Sequence, residues 1–447
     1  MIGIIGAGIS GLSLAYHLQK LDIPYILLEA SEQPGGYIRT IQDNSINRKT
    51  YLLELGPNSM MVDQELHQII EELDIAEEML ASNDVSQNRY IFKNGKYRKL
   101  PAKPSKLLFN SFFSFSSKLA IFKERRRPAQ TVENETLSQF FERRFSKEVV
   151  DYALNPFVAG IYAGDPAQLL MHKTFPQLQE YEQTYGSVIK GLVKNKSVER
   201  RQTISFQQGM QTLPKAFAQK LNHLRLGVKV ENIQKHPEGY LIQADNEQTF
   251  EVSQLVVATS APAARQFLSA SFPNLSQALA KIYYPPMIAV HSTYKRAAVK
   301  HPLDGFGGLN PKIEDLYTAG SIWTSSVFSG RCPEDEVLFT TFVGGTQSPE
   351  HTTNSKQITL GKVHQELSEH YHITASPLYR NLYKWENAIP QYDHNVLEAH
   401  QITDELEPEQ LFVCANWKGG ISLPDSIKKG QQLAQKLAEK YPHLSEK

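Results

Sequence analysis

The feature that most narrows the fold is the run Gly6-Ala7-Gly8-Ile9-Ser10-Gly11, which directly follows the apolar stretch Ile2–Ile5. A glycine at Gly6 permits a sharp turn out of a buried strand. Gly8 lets a pyrophosphate approach the main chain, and Gly11 lets the next helix lie close on the strand. Residues 10–21 carry Leu12, Ala15, Tyr16 and Leu18 at helical spacing, and Tyr25–Leu28 reads as a second buried strand that ends at Glu29. The start of such a helix offers free N–H groups and a positive dipole end to phosphates. Glu29, eighteen residues after Gly11, is placed to accept ribose hydroxyls. Ile9, Ser10 and Ala30 flank these positions and are counted with them as cofactor-binding. This strand-turn-helix-strand unit predicts a Rossmann-like α/β domain.

The rest of the chain returns to that domain more than once. Residues 63–80 carry Leu66, Ile69, Ile70 and Leu73 on one helical face, and from 93 to about 196 helix-like patterns and aromatic, Ser and basic residues dominate. Alternation then resumes: 224–233 and 240–244 read as strands, and 255–258 is a buried run ending at Ala258. Several strand candidates lie between 283 and 345, separated by Gly and Pro turns. A last buried run, 411–415, leads into Gly419-Gly420 and a helix from about Pro424. The expected layout is a discontinuous nucleotide-binding domain (1–62, 201–260 and 385–447). A mixed-sheet substrate domain (63–92 and 261–384) and a helical insert (93–200) are interleaved with it.

The 447 residues suffice for several domains, and 47 basic residues balance 47 acidic ones, so bulk charge suggests no nucleic-acid partner. Two cysteines, Cys332 and Cys414, make no disulfide framework and no CxxC pair, which points to a reducing, cytoplasmic compartment. The N-terminus lacks the basic leader of a signal peptide, no uninterrupted apolar run of about 18 residues is present, and no metal set is expected.

A second glycine pair in Pro34-Gly35-Gly36-Tyr37-Ile38-Arg39-Thr40 lets backbone and Arg39 reach the same pyrophosphate from its other side. That suits a deeply held FAD better than an exchangeable nicotinamide. From here the chain resembles the FAD-dependent amine oxidase superfamily, and within it the protoporphyrinogen/coproporphyrinogen oxidase family. The Gly35–Thr40 stretch is similar to GGWIRS, with Tyr37 in place of Trp. Glu54-Leu55-Gly56-Pro57-Asn58-Ser59 is similar to E-x-GPNS. Residues 155–166 (NPFVAGIYAGDP) resemble PFVSGVYAGDP, 206–214 resemble the GGMQTLP segment, and 385–392 resemble W-x-x-AIPQY. Asn416-Trp417-Lys418-Gly419-Gly420-Ile421-Ser422-Leu423-Pro424 resembles GNWRGGISVP.

The resemblance implies an FAD site that includes Gly56, Pro57, Asn58, Ser59, Val230, Ala258 and Trp417. Ile421, Ser422 and Leu423 would sit at a helix start facing the pyrimidine edge of the isoalloxazine. It also implies that Arg89, in Gln87-Asn88-Arg89-Tyr90-Ile91, holds a propionate, and that Leu309, Ile322 and Phe342 touch the macrocycle. The implied reaction is oxidation of protoporphyrinogen IX to protoporphyrin IX in heme biosynthesis. It proceeds by hydride transfer to flavin N5 in three two-electron rounds, with O2 (or a quinone) as acceptor and no side chain required as acid or base. Coproporphyrinogen III is the alternative substrate. An amine oxidase or carotenoid desaturase, and a non-enzymatic GDP-dissociation-inhibitor-like binder, are the rival classes. Residues 104–127 combine aromatics with Arg125-Arg126-Arg127 and are expected to touch a membrane peripherally. A homodimer is a further expected partnership.

Overall fold

In the computed structural model, which describes residues 1–45, 49–101, 110–195 and 201–440, Ile2–Ile5 is buried at every residue because a strand pairs with it on each side. The parallel sheet runs in the order Leu224–Arg225, Tyr25–Leu28, Ile2–Ile5, Gln254–Val257, Leu411–Val413. Its strands therefore come from the beginning, the middle and the end of the chain. Helix Ile9–Lys20 follows the first strand and is buried from Ile9 through Leu18, since a sheet lies on one side and helix Leu423–Lys440 on the other. The two helices touch closely. A Cβ on Gly430 would come within 2.7 Å of Leu14 N, and Ser13 Oγ donates to Ile427 O at 2.8 Å.

A second, seven-stranded sheet lies beside the first. Its order is Tyr379–Trp385, Met287–Lys295, Glu336–Gly344, Gly320–Ile322, Gly307–Leu309, Tyr90–Lys93, Lys96–Lys99. All pairings are antiparallel except Gly307–Leu309 with Tyr90–Lys93, so the sheet is mixed. The boundary expected at 92/93 falls inside the hairpin that closes this sheet at Lys99. Helices fill 115–194, among them Phe115–Lys123, Leu137–Arg144, Asn155–Tyr162 and Pro176–Tyr185. The helical insert is fastened by buried ion pairs, with Arg144 between Glu124 and Glu182.

Two expected elements are shorter than the apolar pattern suggests. The run 224–233 is not one strand: Leu224–Arg225 joins the parallel sheet, whereas Val230–His236 opens a three-stranded antiparallel sheet. Gly227 at φ +68°, packed against the Glu32 carboxylate, turns the chain between them. Likewise the helix expected over 63–80 stops at Glu72. Asp74 takes a left-handed φ of 59°, and Met79–Ala81 becomes a strand paired with Gln202–Phe206. In both cases pairing with distant chain overrides a local periodicity.

Candidate functional site

The glycine turn behaves as its spacing requires. At Gly11 an added Cβ would lie 2.0 Å from Gly6 O, a contact no side chain can make, so glycine there is what allows helix and strand to touch. Gly6, at φ +107°, is hemmed in by Ala258 and Thr259. Gly8 is the opposite case: a Cβ there would meet nothing within 4 Å, so its main chain faces open space at the head of the helix. That space suits a pyrophosphate, which the N–H groups of Ile9, Ser10 and Gly11 at the helix start would hold. The second glycine pair closes on the first. Gly35 forms an isolated parallel bridge with Gly8, Gly35 N donates to Ala7 O at 2.9 Å, and Gly36 lies against Gly8 Cα.

Glu29 ends the second strand with its carboxylate turned into the same turn, accepting from Ala7 N at 2.7 Å and from Ser31 N at 2.9 Å. Val230 is drawn to this corner because Val228 N donates to Glu29 O at 2.9 Å. Ala30 is exposed beside it. Arg39 is placed differently from expectation. Its guanidinium lies over the Trp385 ring at 5.7 Å and donates to Tyr383 Oη at 3.4 Å, on the edge strand of the second sheet. An exposed planar cation gains more on an indole than in open solvent, and these contacts stand where a pyrophosphate contact was expected.

Glu54, Gly56, Pro57, Asn58 and Ser59 lie where the two sheets meet. A Cβ on Gly56 would come 2.0 Å from Tyr37 O, and Trp385 Nε1 donates to Leu55 O at 2.7 Å. Asn58 is buried and its Oδ1 has no hydrogen-bond partner, although its amide nitrogen donates to Gly56 O at 3.2 Å. A buried acceptor left unpaired costs free energy unless a donor arrives, and the hydroxyls or ring N–H of a flavin nucleotide would provide one. Thr259 Oγ1, next to Gly6, is unpaired in the same way. The apolar run in the sequence ends at Ala258 and gives no sign of it. The open face at Gly8 and these two orphaned oxygens fit an extended FAD.

Trp417 contributes through packing. Its side chain is fully buried, its indole N–H donates to Thr259 O at 3.1 Å, and its carbonyl accepts from His400 Nε2 at 2.6 Å. Ser422 caps the last helix, its Oγ accepting from Asp425 N at 3.1 Å, so Ile421 and Leu423 flank a true helix start.

The remaining expected residues meet on one face of the seven-stranded sheet. Leu309 pairs with Gly320, and Gly320 pairs in turn with Phe342, while Ile322 pairs with Gly307. Paired residues share a face, so Leu309, Ile322 and Phe342 project the same way, with Gly307 and Gly320 as gaps between them. All three are partly exposed, whereas the alternate residues Gly308, Ser321 and Thr341 are buried. Helix Asn155–Tyr162 lies against this face, since a Cβ on Gly160 would approach Leu309 Cδ2 to 2.9 Å. Phe157 and Ile161, on either side of Gly160, are about half exposed (45% and 44%). They share one side of that helix at i, i+4 spacing, a pattern common to any amphipathic helix. Arg89 stands at the end of the adjoining strand. Its guanidinium donates to Ser86 O and lies 4.2 Å from the Phe306 ring centroid, and no ion pair among the described residues includes it.

One buried carboxyl ties the two halves. Glu54 accepts from Met210 N and Thr40 Oγ1, both at 2.8 Å, and His291 Nε2 donates to its carbonyl at 2.9 Å. Burial pushes its carboxyl up from 4.5 to about 7, against the pull of those hydrogen bonds and of Arg331. A raised folded pKa means that its stabilising contribution is complete below the unfolded value and lost as pH rises through 7. Glu54→Gln does not titrate. Its stability relative to wild type is therefore expected to improve by up to about 3 kcal/mol between pH 4.5 and pH 7, read from urea unfolding. A gap that stays constant with pH would contradict the assignment.

Comparison with known proteins agrees with this geometry. Residues 9–438 match the family described as flavin containing amine oxidoreductase. The mitochondrial protoporphyrinogen oxidase of Nicotiana tabacum is 30% identical, over 96% of this chain and 93% of its own. The coproporphyrinogen III oxidase of Bacillus subtilis (strain 168) is 26% identical, over 96% of each. Among solved structures, a candidate protoporphyrinogen oxidase from Exiguobacterium sp. 255-15 superposes with a TM-score of 0.79 at 19% identity, covering 98% of both chains, a likeness of fold. The chain belongs to the flavin containing amine oxidoreductase family, and it is an FAD-dependent oxidoreductase.

Proposed function

We propose that this enzyme oxidises a porphyrinogen, with protoporphyrinogen IX as the preferred substrate. The observation that carries the reading is the sheet face with Leu309, Ile322 and Phe342 as an apolar floor, glycine gaps between them, and Arg89 at its margin. A large macrocycle with few polar groups needs apolar walls and one or two ionic anchors. Phe157 and Ile161 offer the opposing wall. Arg89, with no carboxylate partner among the described residues, matches a propionate through a two-pronged guanidinium contact.

Bound FAD supplies the two-electron oxidation, which three rounds complete for a porphyrinogen, and O2 is the proposed acceptor. The protein's own part is positional. Tyr37, in the second glycine segment, meets Trp385, at the end of the sheet's edge strand, with ring centroids 5.1 Å apart. The apolar walls exclude water, and Arg89 fixes the ring's orientation. No side chain is assigned as acid or base, since the neighbouring buried groups serve structure: His291 donates to Glu54 O, and Glu54 is spent on Met210 and Thr40.

The relatives include enzymes named for each porphyrinogen, so the substrates are to be compared directly by porphyrin fluorescence. The expected outcome is a higher kcat/KM for protoporphyrinogen IX. Arg89→Ala is expected to raise its KM by about 10- to 100-fold with little change in kcat, the cost of a charged hydrogen bond. A preference for coproporphyrinogen III, or an unchanged KM in the variant, would overturn the respective assignment.

A peripheral membrane contact is proposed for the insert. Helix Phe115–Lys123 exposes Phe115 (82%), Leu119 (43%) and Phe122 (54%) along one side, followed by exposed Arg125 and Arg126. Part of the segment expected to dock is core instead. Phe112 and Phe113 are buried around the Lys93 ammonium, and Arg127 is tied to the carbonyls of Arg143 and Phe145. Residues 104–109 of that expectation lie outside the described residues. No described helix is long and apolar enough to cross a membrane. Aromatic residues beside basic ones suit an anionic interface. Cosedimentation with phosphatidylserine-containing vesicles is expected to fall at least about fivefold in a Phe115→Ser, Phe122→Ser double variant. Equal binding would remove the insert from this role.

A further inference from the structure

The turn 415–420 has no regular structure, yet side chains satisfy most of its carbonyls. Tyr392 Oη donates to Asn416 O at 2.7 Å and accepts from Gly420 N at 2.9 Å, and His400 donates to Trp417 O. Three more carbonyls converge on one ammonium. Lys429 Nζ donates to Ala415 O at 2.6 Å, to Lys418 O, and to Gly420 O at 3.4 Å. Side chains on a helix lean toward its N-terminus, so the Lys429 stem runs back along Leu423–Lys440 to the turn that precedes it. Its three donors are all used on neutral carbonyls, which requires the protonated form, and none of the ion pairs among the described residues includes it. Burial holds its pKa below the usual lysine value and Lys418 adds to that, while Cys414 and Asp425 act to raise it, Asp425 from an exposed position beside Gly420.

The location makes that charge matter. Strands Ile2–Ile5 and Leu411–Val413 are parallel members of one sheet, and each leads at its carboxyl end to a helix start, at Ile9 and at Leu423. The two starts are neighbours, since Ser13 Oγ, one turn into the first helix, donates at 2.8 Å to Ile427 O, one turn into the last. Ligands of such sheets lie outside the carboxyl ends of the strands, and the Gly8 cradle opens there. We infer that Lys429 is a positioning residue for the flavin: its ammonium fastens the turn 415–420 to the last helix, and its charge adds to that helix's positive end to favour the reduced cofactor. The inference rests on the FAD frame and is independent of which porphyrinogen is oxidised.

The test is the midpoint potential of the FAD-loaded protein, titrated without substrate, together with the FAD dissociation constant and the melting temperature of the apoprotein. In Lys429→Gln, which keeps an N–H donor pair without the charge, the two-electron reduction equilibrium is expected to fall about tenfold, or about 30 mV. Lys429→Arg is expected to restore it to within about threefold. Where Lys429→Gln fails to retain FAD, a native apoprotein melt supports the fastening role, and the potential is then read on Lys429→Arg and on Asp425→Asn, which is expected to shift it upward. An FAD-loaded Lys429→Gln with wild-type affinity and wild-type potential would overturn the inference, as would an Asp425→Asn potential that moves downward.

Discussion

The structure depends on one backbone contact, the approach of Gly11 to Gly6 O. With only 2.0 Å available to a Cβ there, helix Ile9–Lys20 rests on the first strand with nothing between them. That proximity puts the helix start at the carboxyl edge of the parallel sheet and leaves Gly8 facing open space. The other segments proposed to touch the nucleotide are arranged around this point. The Glu29 carboxylate and the Gly35 bridge come from just after the second strand, the Thr259 hydroxyl and the turn before the last helix from distant parts of the chain, and specific backbone and side-chain contacts hold them there. A helix end and open backbone favour an anion whatever follows; the other segments make the site long enough for FAD.

The nucleotide site and the proposed substrate face are coupled by strand Tyr51–Glu54 and the residues after it. Glu54 binds Met210 and Thr40 through its carboxylate and His291 through its carbonyl, while Trp385 donates to Leu55 O. Most of these bonds join elements far apart in the chain. Burying a carboxyl and a neutral histidine here is costly, and burial holds His291 down to about 4. The hydrogen bonds offset that cost and fix how the apolar floor of the second sheet meets the flavin frame.

The parts that were legible in the sequence are those where chemistry is set by local backbone needs. The glycine spacing and the acidic residue at the end of the second strand each follow from what a few consecutive residues can do. The parts that were not legible depend on partners far along the chain. The run 224–233 splits because Gly227 turns and two different sheets claim its halves. Arg39 goes to Trp385, near the other end of the chain, and nothing near Arg39 announces it. Phe157 and Ile161 read as ordinary apolar helix positions until the opposing sheet face is known. Leu309, Ile322 and Phe342 needed the resemblance to be singled out, because their alternation is common to any half-buried strand.

The central claim is that the cradle opened by Gly8 holds FAD. Titration of apoprotein with FAD, followed by quenching of flavin fluorescence, tests it most directly, with Gly8→Val as the matched control. A Cβ added at Gly8 would meet no protein atom within 4 Å, so the substitution is directed into the cradle rather than into packed protein. The account expects saturable binding of one FAD per chain by the wild type, and binding weakened at least about a hundredfold in a variant of unchanged melting temperature. A wild-type protein that takes up no flavin, or a Gly8→Val variant that binds FAD as tightly as wild type, would contradict it.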